Sequence, residues 1–416
     1  MKYFMRYFFV LVLLSLFPAA DWPVFHGPKG DNRSPDTGLL EVWPEDGPPL
    51  VWETSGVGAG QSGFSSVTIA GNRIFTAGSR DGKSIVYCLD TTGKKIWEYE
   101  NGGVWTKSYA GTRSTPTVDG DRVYDFSSLG ELVCLDVKTG KKIWGRNILN
   151  DFEGENIIWA LAESVCIDGD RLICSPGGKK AGVVALDKKT GEIVWATPST
   201  GEKTSYSSAV IFEQDGLRIL AMMYAKGLLG INADTGEMLF TFRHTQRYDI
   251  NCTRPLYHDG KLLIVNAKTP PDDNGAALLR VTVDGKKASV EKKWQNRDFD
   301  NLHDSVLLRN GYIYGSSHEY KGGVFMCVDW KTGRTVFEQR DCGRGAITFA
   351  EGLIYFLSER GDFRLIRPNP EKYDIVGRWS IPEKGEGPVW AHMVIHDRKL
   401  YIRHGEFLYC YDIARK

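Results

Sequence analysis

Neither sign of charge dominates this chain: 52 lysines and arginines stand against 52 aspartates and glutamates. No basic stripe or Lys/Arg run breaks the balance, so nothing in the electrostatics favours nucleic acid. Long hydrophobic runs are missing too. The longest, Tyr7 to Phe17, falls short of the about 20 residues that span a bilayer as a helix. No Gly-x-Ser-x-Gly elbow supports a serine nucleophile, although Ser205-Tyr-Ser-Ser208 is serine-rich. Gly56-Val-Gly-Ala-Gly60 has the composition of a phosphate loop, but its Lys-Ser/Thr and the strand-helix context are absent. It reads as a flexible link. Asp81-Gly82-Lys83 and Asp272-Asp-Asn274-Gly275 lack the alternating aspartates of a calcium loop and read as turns.

What the chain does have is repetition. Val86-Tyr-Cys-Leu-Asp-Thr-Thr-Gly-Lys-Lys-Ile-Trp97 returns as Val133-Cys-Leu-Asp-Val-Lys-Thr-Gly-Lys-Lys-Ile-Trp144 and as Val184-Ala-Leu-Asp-Lys-Lys-Thr-Gly-Glu-Ile-Val-Trp195. A period in this range marks an array of supersecondary units. Asp119-Gly120 and Asp168-Gly169 between alternating apolar runs are hairpin turns. Each unit therefore reads as four strands, the last ending in Trp52, Trp97, Trp144, Trp195, Phe240, Trp294, Phe337 or Trp379. The chain closes on Leu408-Tyr-Cys-Tyr-Asp412, a third strand, while Leu50-Val-Trp-Glu-Thr54 is a fourth strand with nothing before it. Joining the two completes an eighth unit and removes the open edges. The expected fold is all-β: an eight-bladed β-propeller of four-stranded antiparallel blades, closed by the N-terminal strand.

Lys2 and Arg6 precede the apolar stretch, and Pro18-Ala19-Ala20 follows it as a cleavage site. Residues 1–20 are expected to be a cleaved signal peptide, 21–49 an N-terminal extension and 50–416 the propeller. The product is expected to be periplasmic or secreted, monomeric and without an integral membrane span. No Cys follows the apolar stretch, so a lipid anchor is not implied.

Four of the eight cysteines, Cys88, Cys134, Cys327 and Cys410, share one repeat position. Equivalent positions in different blades lie too far apart to bridge, so these are expected to be small core residues. Cys166 and Cys174 flank one hairpin turn, and a bridge between them stays open at this point.

The Leu-Asp-x-x-Thr-Gly-x-x-x-Trp phrase resembles the repeat of pyrroloquinoline-quinone (PQQ) enzymes and their non-enzymatic relatives, among them the propeller of the outer-membrane-assembly machinery. The resemblance covers Trp22 to Asp412. Trp22-Pro-Val-Phe-His-Gly-Pro28 looks like the opening motif of exported PQQ-like repeat proteins. Gly111-Thr-Arg-Ser-Thr-Pro-Thr-Val118 and Ala162-Glu-Ser-Val165 look like their inner-strand motifs. The resemblance implies the fold firmly and the chemistry weakly. In the family's alcohol dehydrogenases a flat, polyanionic quinone is held with calcium, stacked between a Trp and a vicinal disulfide. This chain has no Cys-Cys pair and no Cys-x-x-Cys-His haem motif, and it is short for such an enzyme. No cofactor is therefore expected. A binding or scaffold role in the cell envelope is the primary reading, and a PQQ-type oxidoreductase is the alternative.

A propeller site should sit where the inner strands begin, around the channel. Aligning those strands brings Phe64, Arg113, Glu163, Ser207, Arg254, His303 with Asp304, Arg344, and Trp390 with His392 to one ring. The arginines suit anion capture, because guanidinium matches carboxylate or phosphate. The same ring also admits internal ion pairs, Arg113 with Glu163 and Arg254 or Arg344 with Asp304. His303, Asp304 and His392 are metal-ligand types but lack diagnostic spacing, so no metal is expected. Trp105 and Trp159 lie in longer loops before inner strands, either as platforms for a sugar or peptide or as cover for the rim. The expected occupant is a protein or envelope component, or a small anionic or sugar-like ligand.

Overall fold

A computed structural model of the protein describes residues 21–59, 63–267, 274–303, 306–317 and 323–416. Eight antiparallel sheets follow one another along the chain. Blade 1 is Thr68–Ala70, Arg73–Arg80, Lys83–Asp90 and Lys95–Gly103, and blades 2 to 7 repeat the plan. Blade 8 takes Val394–His396, Lys399–His404 and Phe407–Asp412 from the end of the chain and Leu50–Thr54 from its beginning. The closed eight-bladed propeller is thus the fold. Among the described residues the single helix is Ile148–Phe152, in the connection from blade 2 to blade 3.

The repeat phrase builds both a turn and a joint between blades. The Asp136 carboxylate accepts from the Thr139 N–H at 2.8 Å and hydroxyl at 2.7 Å. Asp187 and Asp329 hold their own Thr-Gly turns in the same way. Gly140 then adopts φ +69, and the Trp97 ring of the preceding blade lies against it. Trp144 on Gly191, Trp195 on Gly236 and Trp294 on Gly333 repeat the contact. Each indole N–H also donates across the joint, as Trp144 does to the Lys188 carbonyl at 3.1 Å.

The shared cysteine position is core, as expected. Cys88 stands opposite Phe75 and Trp97 on its two neighbouring strands, and Cys134 stands opposite Tyr124 and Trp144. All eight cysteines are free. Cys166 pairs in register with Ile173, so the next residue, Cys174, faces the opposite side of the sheet. Alternation along the strand settles the question of that bridge.

The ring seam is reinforced by Arg403. Its guanidinium, fully buried, donates to the carbonyls of Ser65 at 3.1 Å and Val57 at 3.2 Å and to the Thr76 hydroxyl at 2.8 Å. This one side chain ties blade 8 to blade 1 at three points.

Residues 21–49 do not trail off as an extension. Trp22 bridges Ile69 of blade 1, and the Pro23 carbonyl accepts from Val118 of blade 2. The chain then reaches His392 of blade 8 through His26, with ring centroids 4.7 Å apart. Gly30 lies against Arg254 of blade 5. Asn32 and Arg33 bond to the carbonyls of Ile347 and Leu308 in blades 7 and 6. Arg33–Ser34 runs parallel to Gly345–Ala350 as a fifth strand of blade 7. A segment that touches the innermost strands of six blades must lie in the channel. It enters and leaves on the side of the inner hairpin turns, where Asp21 accepts from Gly71 at 2.9 Å and Glu351 accepts from Gly38 at 2.9 Å. The opposite side, where the blade connections lead into the inner strands, is the loop face.

Candidate binding site

With the channel filled from the turn face, the loop face carries the accessible mouth. Its centre is the Glu359 carboxylate in blade 7. It accepts from Arg344 Nε at 2.7 Å and Trp390 Nε1 at 3.0 Å, and His303 Nε2 lies 3.7 Å away. Burial opposes its ionisation, yet nearby His303 and the hydrogen bonds from Trp390 and Arg344 outweigh that and hold its pKa at about 2. Arg344, Trp390 and His303 of the expected ring therefore do converge, on a carboxylate that the alignment of inner strands omits. Glu359 sits in a hairpin loop between the second and third strands, so no inner-strand register points to it.

Trp390 extends the mouth into an aromatic cover. Phe64 lies 4.7 Å and Tyr109 4.8 Å from it, centroid to centroid. Arg113 rests over Phe64 at 5.8 Å and donates to the carbonyls of Gly111 at 2.8 Å and Tyr109 at 2.5 Å. Burial lowers its pKa to about 10. Arg113 thus does not use Glu163 as its partner.

Glu163 points into blade 3, away from the mouth. Its carboxyl accepts from the Ser175 N–H at 3.0 Å and hydroxyl at 2.5 Å, and the Ser175 hydroxyl meets Thr204 Oγ1 at 2.5 Å. Burial pushes its pKa up to about 7, against the two Ser175 bonds. Ser207 is buried as well. Arg254 and His392 lie deeper, at the plug. His392 Nε2 is bonded to the His303 carbonyl, and burial pushes its pKa down to about 4. His26 is lowered further by burial and by the neighbouring His392 and Arg254. Both imidazoles are neutral in the channel. Asp304 lies outside the described residues, as does the expected signal peptide.

Trp159 belongs to a second feature of the loop face. A cleft of about 340 Å³ opens between the connections into blades 2, 3, 4 and 5, lined by Trp105, Ile158, Tyr206 and Tyr248 among others. Trp159 backs it, 6.2 Å from Tyr248 and 6.5 Å from Tyr206. Its backbone N–H donates to the Tyr206 hydroxyl at 3.3 Å. Trp105 and Gly111 bridge each other, so the loop between them presents Lys107 toward the cleft and Tyr109 toward the mouth.

Residues 36–180 and 160–339 match the family described as outer membrane protein assembly factor BamB. The chain belongs to that family of PQQ-like propellers. A 1-butanol dehydrogenase (quinone) of Thauera butanivorans is 24% identical over 236 residues, covering 52% of this chain and 35% of that one. A quinoprotein ethanol dehydrogenase of Pseudomonas aeruginosa is 31% identical over 237 residues, with the same coverage. The chain thus matches only about a third of the length of these curated relatives. Among solved structures, BamB from Moraxella catarrhalis superposes with a TM-score of 0.58 at 15% identity, covering 88% of this chain and 98% of that one. Quinohemoprotein alcohol dehydrogenase from Comamonas testosteroni gives 0.65 at 13% identity, covering 95% and 81%. At such identities these likenesses speak for the fold alone.

The residues at the mouth do not fit PQQ held with calcium. Calcium takes about six to eight oxygen ligands. The mouth carboxylate, Glu359, is already engaged by Arg344 and Trp390. Among the described residues no three His, Cys, Asp or Glu side chains converge on one point. Below the mouth the axis is taken by Phe25 and His26, stacked 3.9 Å apart. No helix among the described residues is long and apolar enough to cross a membrane.

Proposed function

We propose that the chain is an exported binding protein of the cell envelope that holds a partner or ligand on its loop face, rather than a quinone-dependent dehydrogenase. The observation that carries this reading is the filled channel. Trp22 to Ser34 occupy the axis from the turn face, and Glu359 with its three partners covers it from the other. What remains for recognition is the surface. There Tyr109, Ile158 and Tyr248 are 47%, 56% and 39% exposed on one face. Large side chains grouped in this way mark interaction surfaces. The family's description as an assembly factor accords with it.

A photo-crosslinking amino acid at Tyr109 is expected to trap a discrete adduct in cells that export the chain, while the same group at Asp170 on the turn face traps none. Purified protein with PQQ, calcium and short-chain alcohols is expected to show neither a quinone spectrum nor dye reduction. Alcohol-dependent dye reduction, or equal adducts from both faces, defeats the reading.

A further inference from the structure

The cleft beside the mouth has a chemistry of its own. Its walls are aromatic: Trp105, Tyr206 and Tyr248, with Trp159 behind them. Its rim is polar in both senses. Asn156, Lys107 and Lys203 donate and Asp249 accepts. A ligand for such a site has an apolar face and an edge of groups that both donate and accept. A pyranose ring fits that description. Its C–H face lies on an aromatic ring, and its hydroxyls run around the edge.

The charges refine the class. Lys203 is paired with Glu155 at 2.9 Å and Asp249 with Lys226 at 2.7 Å, so those four cancel locally. Lys107 and Arg113 enter no ion pair among the described residues. Each lies instead over an aromatic ring, Lys107 over Trp105 at 5.2 Å and Arg113 over Phe64 at 5.8 Å. Tyr206 links them, since it lines the cleft and lies within the field of Arg113. The cleft therefore has a cation at its rim and another toward the mouth, without the anions that would neutralise them.

An extended peptide suits the site less. One common way to hold an extended peptide is to add it to a free strand edge. Here the walls are loops whose backbone is spent internally, as in the Trp105–Gly111 bridge and the Tyr206 N–H bonded to the Asn251 carbonyl at 3.2 Å. The volume also lies at the small end of ligand sites, enough for one or two rings.

We propose that this cleft binds a carboxylated saccharide, with a sugar ring against the Trp105–Tyr206–Tyr248 wall that Trp159 backs, and its carboxylate drawn by Lys107 and Arg113. The proposal rests on the loop face being the binding face. It supplies a ligand class that the family does not assign.

The test is calorimetric titration of the mature chain, with tryptophan fluorescence as a second readout, against trigalacturonate, maltotriose and triglutamate. Trigalacturonate is expected to bind and quench fluorescence, with maltotriose about tenfold weaker or more for want of the carboxylate. Lys107→Ala and Trp159→Phe are each expected to weaken trigalacturonate about tenfold, and added salt to weaken it further. Lys107 is exposed, so its loss leaves the fold intact, and an unchanged melting curve checks Trp159→Phe. No binding of trigalacturonate, or binding that neither substitution alters, overturns the proposal. So does triglutamate binding as tightly, which makes the cleft a peptide or general anion site. An adduct at Tyr109 that persists in the face of any of these results leaves the loop-face reading standing, and its absence removes both.

Discussion

Trp52 of the closing strand lies against Gly93 of blade 1, so near that a Cβ there would come within 2.7 Å of the indole Cε3. The indole N–H also donates to the Thr91 carbonyl at 2.8 Å. This is the same joint that Trp97 makes with Gly140, but here it connects the two ends of the chain. The ring closes by repeating, across its seam, the contact that Trp97, Trp144, Trp195 and Trp294 make at four other joints.

Gly93→Ala is expected to destabilise the fold by about 1–3 kcal/mol, because φ at this residue is +82 and the new methyl meets the indole. Trp52→Ala, at a half-buried site, is expected to cost about 2 kcal/mol. In the Trp52→Ala background the glycine substitution retains only its backbone cost, about 1 kcal/mol. Denaturant melts of the two single variants and the double variant measure the coupling, and strict additivity would falsify the seam contact.

Glu163 links stability to pH. Its folded pKa of about 7 lies above the ordinary 4.5. Between those values the folded chain holds a proton that the unfolded chain releases, so this group's contribution falls as pH rises from about 4.5 to about 7. Glu163→Gln is expected to remove up to about 3 kcal/mol of that slope. Thermal melts of wild type and variant from pH 4.5 to 8 should diverge over that window alone, and parallel curves refute the assignment.

Glu359 has the opposite sign. Its pKa of about 2 lies below the ordinary value, so its contribution is full above about pH 4.5 and is lost as the pH falls toward 2. Glu359→Gln leaves Arg344 and Trp390 with weaker acceptors. It is expected to cost about 1–3 kcal/mol at neutral pH and progressively less in acid. A variant equally destabilised at pH 3 and pH 7 contradicts this. A change in the Trp390 fluorescence would report the same bond.

Trp22 anchors the segment in the channel. It is 2% exposed and packs on Ile69 and on the backbone of Gly27. Trp22→Ala is expected to cost about 3–5 kcal/mol. It should also speed tryptic cleavage after Lys29 and Arg33 under native conditions. Unchanged cleavage would mean that the segment does not need its anchor to remain seated.

The repeat phrase determined most of the architecture by itself. Its Asp and Thr-Gly make a local turn, its alternation makes a strand and its period counts the blades. These are short-range effects that any window of the sequence contains. Even the seam was legible, since Leu50–Thr54 and Phe407–Asp412 are complementary halves of one unit. The convergence of Arg344, His303 and Trp390 was visible for a related reason: repeats make departures from the pattern easy to see.

Only the tertiary structure decided where those departures point. Aligned to one ring in the sequence, Glu163 and Arg113 part in the structure: the carboxylate bonds Ser175 of blade 3, while the guanidinium stays at the mouth on the Gly111 and Tyr109 carbonyls. Glu359 enters the site from a hairpin loop outside the aligned strands. The Trp22–Ser34 segment has no periodicity to place it, and it lies in the channel because six blades supply contacts from distant parts of the chain. The cleft likewise exists only where connections into four blades meet. Local sequence determines the strand and its turn; which side chains share a space depends on closing the ring.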